Sequence, residues 1–313
     1  MGKLNLTKVA IPTQKPNWDS WSYRIGCPVW GCKEWGGLVY PERTANEHYL
    51  SWYSHAFPTV EGNSTFYGVP GKSTFEKWSE QAAPGFQFCF KFPRRISHDC
   101  MLTRCDSETK EWLSCLEILY KDGKLGPTFL QLGPSFGFNR FGALELFLRG
   151  LPKDWPWAVE VRHQDWFDAA EGENRLDGLL GELEIDRVLF DSRPLNSLEA
   201  SDAIEEASQK RKPRSPFRTT TTSKRPMLRL IGRNDWREVT EYWIQWADQI
   251  ACWIDSGLQP WVFTHAPNDQ YAPDLVKLMH RLVREKRGEL PDLPELFEKP
   301  EPESPALRQL DLF

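Results

Sequence analysis

Eight short apolar segments, all but the sixth followed by a run with helical spacing, fill the chain between residues 26 and 286 and predict a single α/β domain, a (β/α)8 TIM barrel. Two further observations agree. Neither GxGxxG nor a P-loop occurs anywhere in the 313 residues, so a doubly wound nucleotide-binding sheet has no support. No internal repeat at a solenoid or propeller period is visible either.

In chain order the strands are read at GCPVW (26–30), TVEGNSTF (59–66), FQFCFKF (86–92), TFLQLG (128–133), AVEVRH (158–163), RVLFDS (187–192), MLRLIGR (227–233) and WVFTHA (261–266). Each is short, rich in β-branched or aromatic residues, and ends in polar ones. The intervening segments 45–57, 73–82, 108–122, 141–151, 174–183, 237–257 and 272–286 carry apolar residues three and four apart, the spacing of one helix face. Ser73 and Asn174 are expected caps, and Gly85, Gly123, Gly150 and Gly257 fall where helices should stop. Residues 1–23 form an N-terminal extension, 24–287 the barrel, and 288–313 a proline-rich acidic tail of disordered type. One link is long: residues 193–226 begin acidic, with the makings of a short helix, and end with seven cations between Lys210 and Arg225. Such a link reads as a solvated loop or as an arm that touches phosphate.

A net charge of -5 argues against a bulk electrostatic nucleic-acid binder. The seven cysteines lack CxxC spacing and a histidine pair at zinc-site distance, which fits reduced thiols in a cytoplasmic protein. No apolar run reaches the roughly 18 residues of a membrane span. No cofactor motif is present, and neither a cofactor nor a metal is expected.

Strand side chains alternate, so one set faces the helices and the other the barrel interior. This sends Glu61 and Asn63, Lys91, Gln131, Glu160 and Arg162, Asp191, Arg229 and Arg233, and His265 inward near the C-terminal mouth, where barrel enzymes keep their sites. Burying so many charges is costly unless they pair or work. Glu160 and Glu61 are candidate acid or base catalysts, and Lys91 a charge stabiliser or amine nucleophile. Arg162 and Arg229 suit an anion, and with Lys91 they would repel a divalent cation. His163 lies on the loop after its strand, while Trp30 and Trp166 follow strand ends and suit stacking on a planar or sugar-like ligand.

NSTFYGVPGKSTFEKW, FCFKFPRRISHD, FLQLGPSF, VEVRHQDWF and LRLIGRND, in this order, resemble the YecE-like family, domain of unknown function 72, over residues 24–287. The resemblance implies a TIM barrel and a mouth built from Glu61, Asn63, Lys91, Gln131, Glu160, Arg162, His163, Trp166, Arg229 and Arg233. It implies no reaction. Separately, QLDLF (Gln309, Leu310, Asp311, Leu312, Phe313) resembles the pentapeptide by which bacterial replication and repair proteins dock on the DNA polymerase sliding clamp. Two apolar anchors and a glutamine suit a hydrophobic groove. The expectation is therefore a hydrolase or lyase acting on a phosphorylated or nucleic-acid-related substrate and recruited to the clamp. The alternative is a non-catalytic nucleotide- or DNA-binding accessory of replication or repair.

Overall fold

Strands form at all eight expected places: β1 (Arg24–Gly26), β2 (Thr59–Gly62), β3 (Gln87–Phe90), β4 (Thr128–Gln131), β5 (Trp157–Glu160), β6 (Asp186–Asp191), β7 (Met227–Ile231) and β8 (Trp261–His265). The computed structural model describes residues 16–168 and 171–296, so Gln309 to Phe313 lie outside the described residues. The helices are α1 (Tyr49–Ala56), α2 (Ser64–Tyr67), α3 (Lys72–Gln81), α4 (Asp106–Lys121), α5 (Phe141–Arg149), α6 (Gly172–Glu182), α7 (Ala203–Arg211), α8 (Thr240–Asp255) and α9 (Ala272–Lys286). Among the described residues, no helix is long and apolar enough to cross a membrane.

Every strand pairing is parallel. Six strands make one sheet in the order β1-β8-β7-β6-β5-β4, and β2 pairs with β3 in a second. The eight predicted strands thus occur as two ladders. Single bonds span the seams: Glu61 N–H donates to Cys27 O at 3.0 Å, Phe92 N–H to Phe129 O at 3.0 Å, and Gly126 N–H to Phe88 O at 2.8 Å. Gly26 has a steric reason to be glycine, because a Cβ there would meet Thr59 O at 2.0 Å.

The large sheet curls. Cys89, Phe129, Ala158, Val188, Met227, Trp261 and Phe263, from β3 to β8, form one buried cluster on its concave face. The convex face packs against the helices through Val60, Phe88, Leu130, Val159, Leu189, Leu228 and Val262. Each large side chain so buried contributes about 1.5–3 kcal/mol.

Several expectations need correction. The first strand starts two residues earlier than expected and stops at Gly26, leaving Trp30 in a loop. Ser73 and Asn174 lie inside α3 and α6, whose N-caps are Gly71 and Glu171 and carry no side-chain cap bond. Gly85, Gly123 and Gly257 do take the left-handed backbone that ends a helix or its following turn.

The parity of β6 was misread. Its register sets Phe190 beside Arg229 and Asp191 beside Leu230, so Val188 and Phe190 face inward while Leu189 and Asp191 face the helices. The link 193–226 is anchored at several points rather than freely solvated. Asp202 caps α7 by accepting from the N–H groups of Ile204 and Glu205, and Glu205 is buried. Ser192 Oγ donates to Pro213 O at 2.6 Å and Thr222 Oγ1 to Ile185 O at 2.7 Å, tying down the return segment.

The folded part also reaches beyond 24–287. Trp18, Trp21 and Tyr23 are buried, and Trp18 Nε1 donates to Ser54 O at 2.8 Å. Past α9, Leu290 is buried, and Arg284 Nε donates to its carbonyl at 2.9 Å. Residues 288–296 therefore include part of the fold, where a disordered tail was expected.

Candidate functional site

The C-terminal ends of β2, β4, β5, β7 and β8 and the residues just after them bring seven predicted side chains into one polar network. Arg229, rising from the concave face of β7, grips Glu61 with two bonds, Nε to Oε2 at 2.8 Å and Nη2 to Oε1 at 2.7 Å. Its remaining nitrogen, Nη1, donates to Glu160 Oε2 at 2.5 Å. Arg162 pairs with the other oxygen of Glu160, and its Nη2 lies 3.4 Å from Gln131 Oε1. His265 Nε2 meets Glu61 Oε2 at 3.2 Å, and Asn63 Nδ2 donates to Glu61 Oε1 at 2.8 Å. Aromatic faces support the guanidinium groups: Arg229 lies 5.0 Å from the Phe129 ring centroid, and Arg162 4.2 Å from that of Phe190.

Both carboxylates are consequently saturated. Burial by itself raises Glu61, but the charge of Arg229 and the hydrogen bonds from Arg229 and His265 outweigh it and hold the carboxyl well below its usual range. Glu160 behaves alike: burial pushes up, Arg162 and Arg229 pull down, and the net direction is down. A carboxyl held ionised has no proton to give, so neither residue suits a general acid near neutrality. Their role is to hold the arginines.

Lys91 differs. It stands just past β3, fixed by Lys91 N–H to Gly62 O at 3.2 Å and Thr65 Oγ1 to Lys91 O at 2.8 Å. Its side chain is buried with Nζ 3.6 Å over the Phe66 ring, and no carboxylate among the described residues lies within ion-pair distance. Burial first, and then the charge of Arg229, lower the amine to about 7 despite Glu160 and Glu61.

Two groups join this site that the alternation rule did not assign to it. Lys212, just after α7, is partly exposed and feels the charges of Arg229, Glu61 and Arg162; burial and Arg229 lower it to about 8. His98 sits on a π-helical turn, Arg95–Asp99, with Nδ1 2.8 Å from Ser97 Oγ. Burial and then Lys91 lower its imidazole to about 4, so it stays neutral at pH 7. A histidine soon after a strand end was the available signal for His98. Lys212 had none, since its position depends on the path of a 34-residue link.

Other predicted site residues lie elsewhere. Asp191 accepts from Trp246 Nε1 at 2.8 Å and pairs with Arg193 on the helix side of β6. Arg233 belongs to a second buried network with Glu205 at 2.8 Å and Glu238. Its strand ends at Ile231, so strand parity no longer governs it. His163 caps a short turn, accepting from Asp165 N–H at 3.2 Å. Trp166 is fully buried and donates to Phe136 O at 2.6 Å. Trp30 packs edge-on against Trp78 and Phe88.

Cavity size does not locate the chemistry. One cavity of about 690 Å³ lies between Leu38, Phe57, Arg284 and Leu296, and another of about 500 Å³ between Leu102, Lys110 and Leu146. Neither contains a network of buried ionised groups. At the mouth, Asn63, Gln131, Arg162 and Lys212 are partly open to solvent.

Residues 24–301 match the family model described as protein of unknown function DUF72. The chain is 35% identical to the UPF0759 protein YecE of Escherichia coli K12 over 270 residues, covering 86% of this chain and 94% of that protein. It is 27% identical to the UPF0759 protein YunF of Bacillus subtilis over 164 residues, 50% of this chain and 57% of YunF. A crystal structure of a DUF72 family protein from Enterococcus faecalis aligns with TM-score 0.65 at 17% identity, covering 88% of this chain and all of that one. One from Thermotoga maritima aligns with TM-score 0.61 at 22% identity, covering 85% of this chain and 99% of that one. These structures share the fold.

Proposed function

The chain belongs to the DUF72 family, and from that premise we propose that its polar mouth binds a small phosphorylated or otherwise anionic molecule and acts on it as a hydrolase or lyase. We read the eight strands as one closed (β/α)8 barrel, a reading supported by the backbone bonds across both seams.

A surplus of positive charge carries the functional reading. Arg162, Arg229, Lys91 and Lys212 converge with Glu61 and Glu160, four basic groups against two acids, with Lys91 about half protonated at pH 7. Farther out, Asp269 and Arg211 add one charge of each sign near Lys212. The arginines use up both buried carboxylates, and neither lysine has an ion-pair partner among the described residues. An anion entering between Lys91 and Lys212 would satisfy both, with Gln131 and Asn63 offering amide groups at its edge. Lys91 also has the proton affinity best matched to acid–base work near neutral pH.

The test is a melting curve of the full chain with inorganic phosphate, pyrophosphate and nucleotides. Saturation at one hundred times Kd adds about 2.7 kcal/mol to stability, a clear rise in Tm. No shift with any of these anions would sink the reading.

The locking of both carboxylates also favours a second reading, a nucleotide- or DNA-end-binding accessory without turnover. Stabilisation by a nucleotide that is recovered unchanged after prolonged incubation is its expected signature. Clamp docking by Gln309, Leu310, Asp311, Leu312 and Phe313 stands as a separate proposal resting on residue type. Removing residues 309–313 is expected to abolish clamp pull-down while leaving the melting curve intact; unchanged pull-down would refute it.

A further inference from the structure

We infer that Lys91 forms a covalent imine with a carbonyl-bearing anionic substrate, so that the molecule bound in the mouth is a phosphorylated or carboxylated aldehyde or ketone. This rests on the anion-binding reading above and narrows its substrate class.

The geometry sets Lys91 apart. It is 9% exposed and lies at the edge of a network whose acids are already paired. Buried lysines normally have a carboxylate partner. Here the side chain ends over the Phe66 ring at 3.6 Å, an apolar face that holds the amine in place and offers no lone pair. Burial acts most strongly on it; among the charged groups Arg229 opposes its protonation most, Glu160 and then Glu61 favour it, and Arg162 opposes it least. His98 lies close enough to feel its charge and stays neutral, adding no competing cation at pH 7. Lys212 approaches from the link after α7, within range of the same arginines. One amine is thus poised for attack, and a second remains cationic enough to hold an anion.

The chemistry balances without any further reagent. The Nζ lone pair attacks the carbonyl carbon, and the π electrons move to oxygen, which takes up a proton from the nitrogen. The resulting carbinolamine loses water as the C=N bond forms, so one amine and one carbonyl give one imine and one water. The nearby guanidinium of Arg162 suits the anionic group of the substrate, since it is always charged and presents a planar fork.

The experiment uses the full-length protein with glycolaldehyde phosphate as probe, trapping with sodium borohydride and locating the adduct by peptide mass spectrometry. At pH 7 an ordinary lysine is free amine in about one molecule in 2,500, whereas Lys91 is near half, so labelling should favour it at least about tenfold over any other lysine. Labelling should rise between pH 6 and pH 8 and then flatten, and Lys91→Met should abolish it. Glycolaldehyde without the phosphate should label Lys91 at least about tenfold more slowly, reflecting the lost anion contacts. Labels spread evenly over surface lysines, or a Lys91 rate that keeps climbing to pH 10, would overturn the inference. Equal labelling by both aldehydes would overturn the substrate class. A Tm raised by inorganic phosphate with no Lys91 adduct removes the imine and keeps the anion site; no shift and no adduct removes both.

Discussion

Two buried ionic networks in this molecule use the same residue types to different ends. On the helix side of β6, Arg187 and Arg218 meet Glu173 and Asp177, two cations against two acids, with Arg187 Nη1 2.7 Å from Asp177 and 3.0 Å from Glu173. At the mouth, four basic groups face two acids. The first network is balanced and joins the link at 193–226 to α6. The second holds one lysine buried without a carboxylate and another beside it. Charge balance, more than burial, separates the cluster that fastens the fold from the cluster that can accept a ligand.

The largest expected effect tests this comparison directly. Glu61→Gln strips Arg229 of its bidentate partner, and Glu173→Gln weakens the grip on Arg187 and Arg218. Each leaves a buried guanidinium under-neutralised and should cost about 3–5 kcal/mol in urea unfolding. The two variants should differ in binding. Glu61→Gln makes the mouth more positive and should bind inorganic phosphate more tightly, whereas Glu173→Gln should bind as the wild type does. Equal effects on binding would show that charge balance does not mark the site.

Next comes Lys91→Met, which should stabilise the protein. The amine takes its proton at about 7 when folded and at 10.5 when unfolded, so between those values the unfolded chain binds more protons and stability rises with pH. Below about pH 7 the penalty is fully present. The variant lacks it and should exceed the wild type by roughly 1–3 kcal/mol at pH 6, the gap closing toward pH 10. Phosphate binding should fall in the same variant, a trade of stability for function.

His265 gives a smaller effect of the same sense, in a more acidic window. Burial lowers its imidazole to about 4 in spite of Glu61, so as pH falls from 6.5 toward 4 the unfolded chain takes up a proton first. Its stabilising contribution is complete above pH 6.5 and lost through that window, roughly 1–2 kcal/mol. Arg229 and Lys212 face the same ring and remain charged throughout. His265→Gln should flatten this part of the stability profile, and an unchanged slope would refute the assignment.

Much of this was legible in the sequence because alternation along a strand is a strict geometric rule. It assigned Glu61, Lys91, Gln131, Glu160, Arg229 and His265 before any coordinates, and these meet at the mouth. It failed in two physical situations. In β6, Val188 to Asp191 offer apolar residues of both parities, so the pattern VLFD does not say which face is inward; the pairing of Phe190 with Arg229 decides it. Beyond a strand's end the rule weakens: Asn63, Lys91 and Arg162 still reach the mouth, whereas Arg233, two residues past β7, ends elsewhere and Lys212 arrives unannounced. A large ring after a strand is readily taken up by packing: Trp166 is absorbed by the core, and Trp30, partly buried, packs against it.

Lys212 offers the finest contrast, because it differs from Lys91 chiefly in exposure. It is partly open to solvent and its amine sits at about 8, so at pH 7 it is mostly charged. Lys212→Ala removes no packed side chain from the core and should alter stability by no more than about 0.5 kcal/mol. Its effect belongs to binding: phosphate affinity should fall by about fivefold at low salt, and the loss should shrink as ionic strength rises, since an exposed charge is screened over about 10 Å at 0.1 M. Lys91→Met should weaken binding with little dependence on salt, because the Lys91 amine is itself buried. Titrating phosphate into both variants at two salt concentrations separates the cases. If salt affects the two losses alike, Lys212 and Lys91 do not stand at different depths of one site, and the mouth must be redrawn around whichever variant still binds.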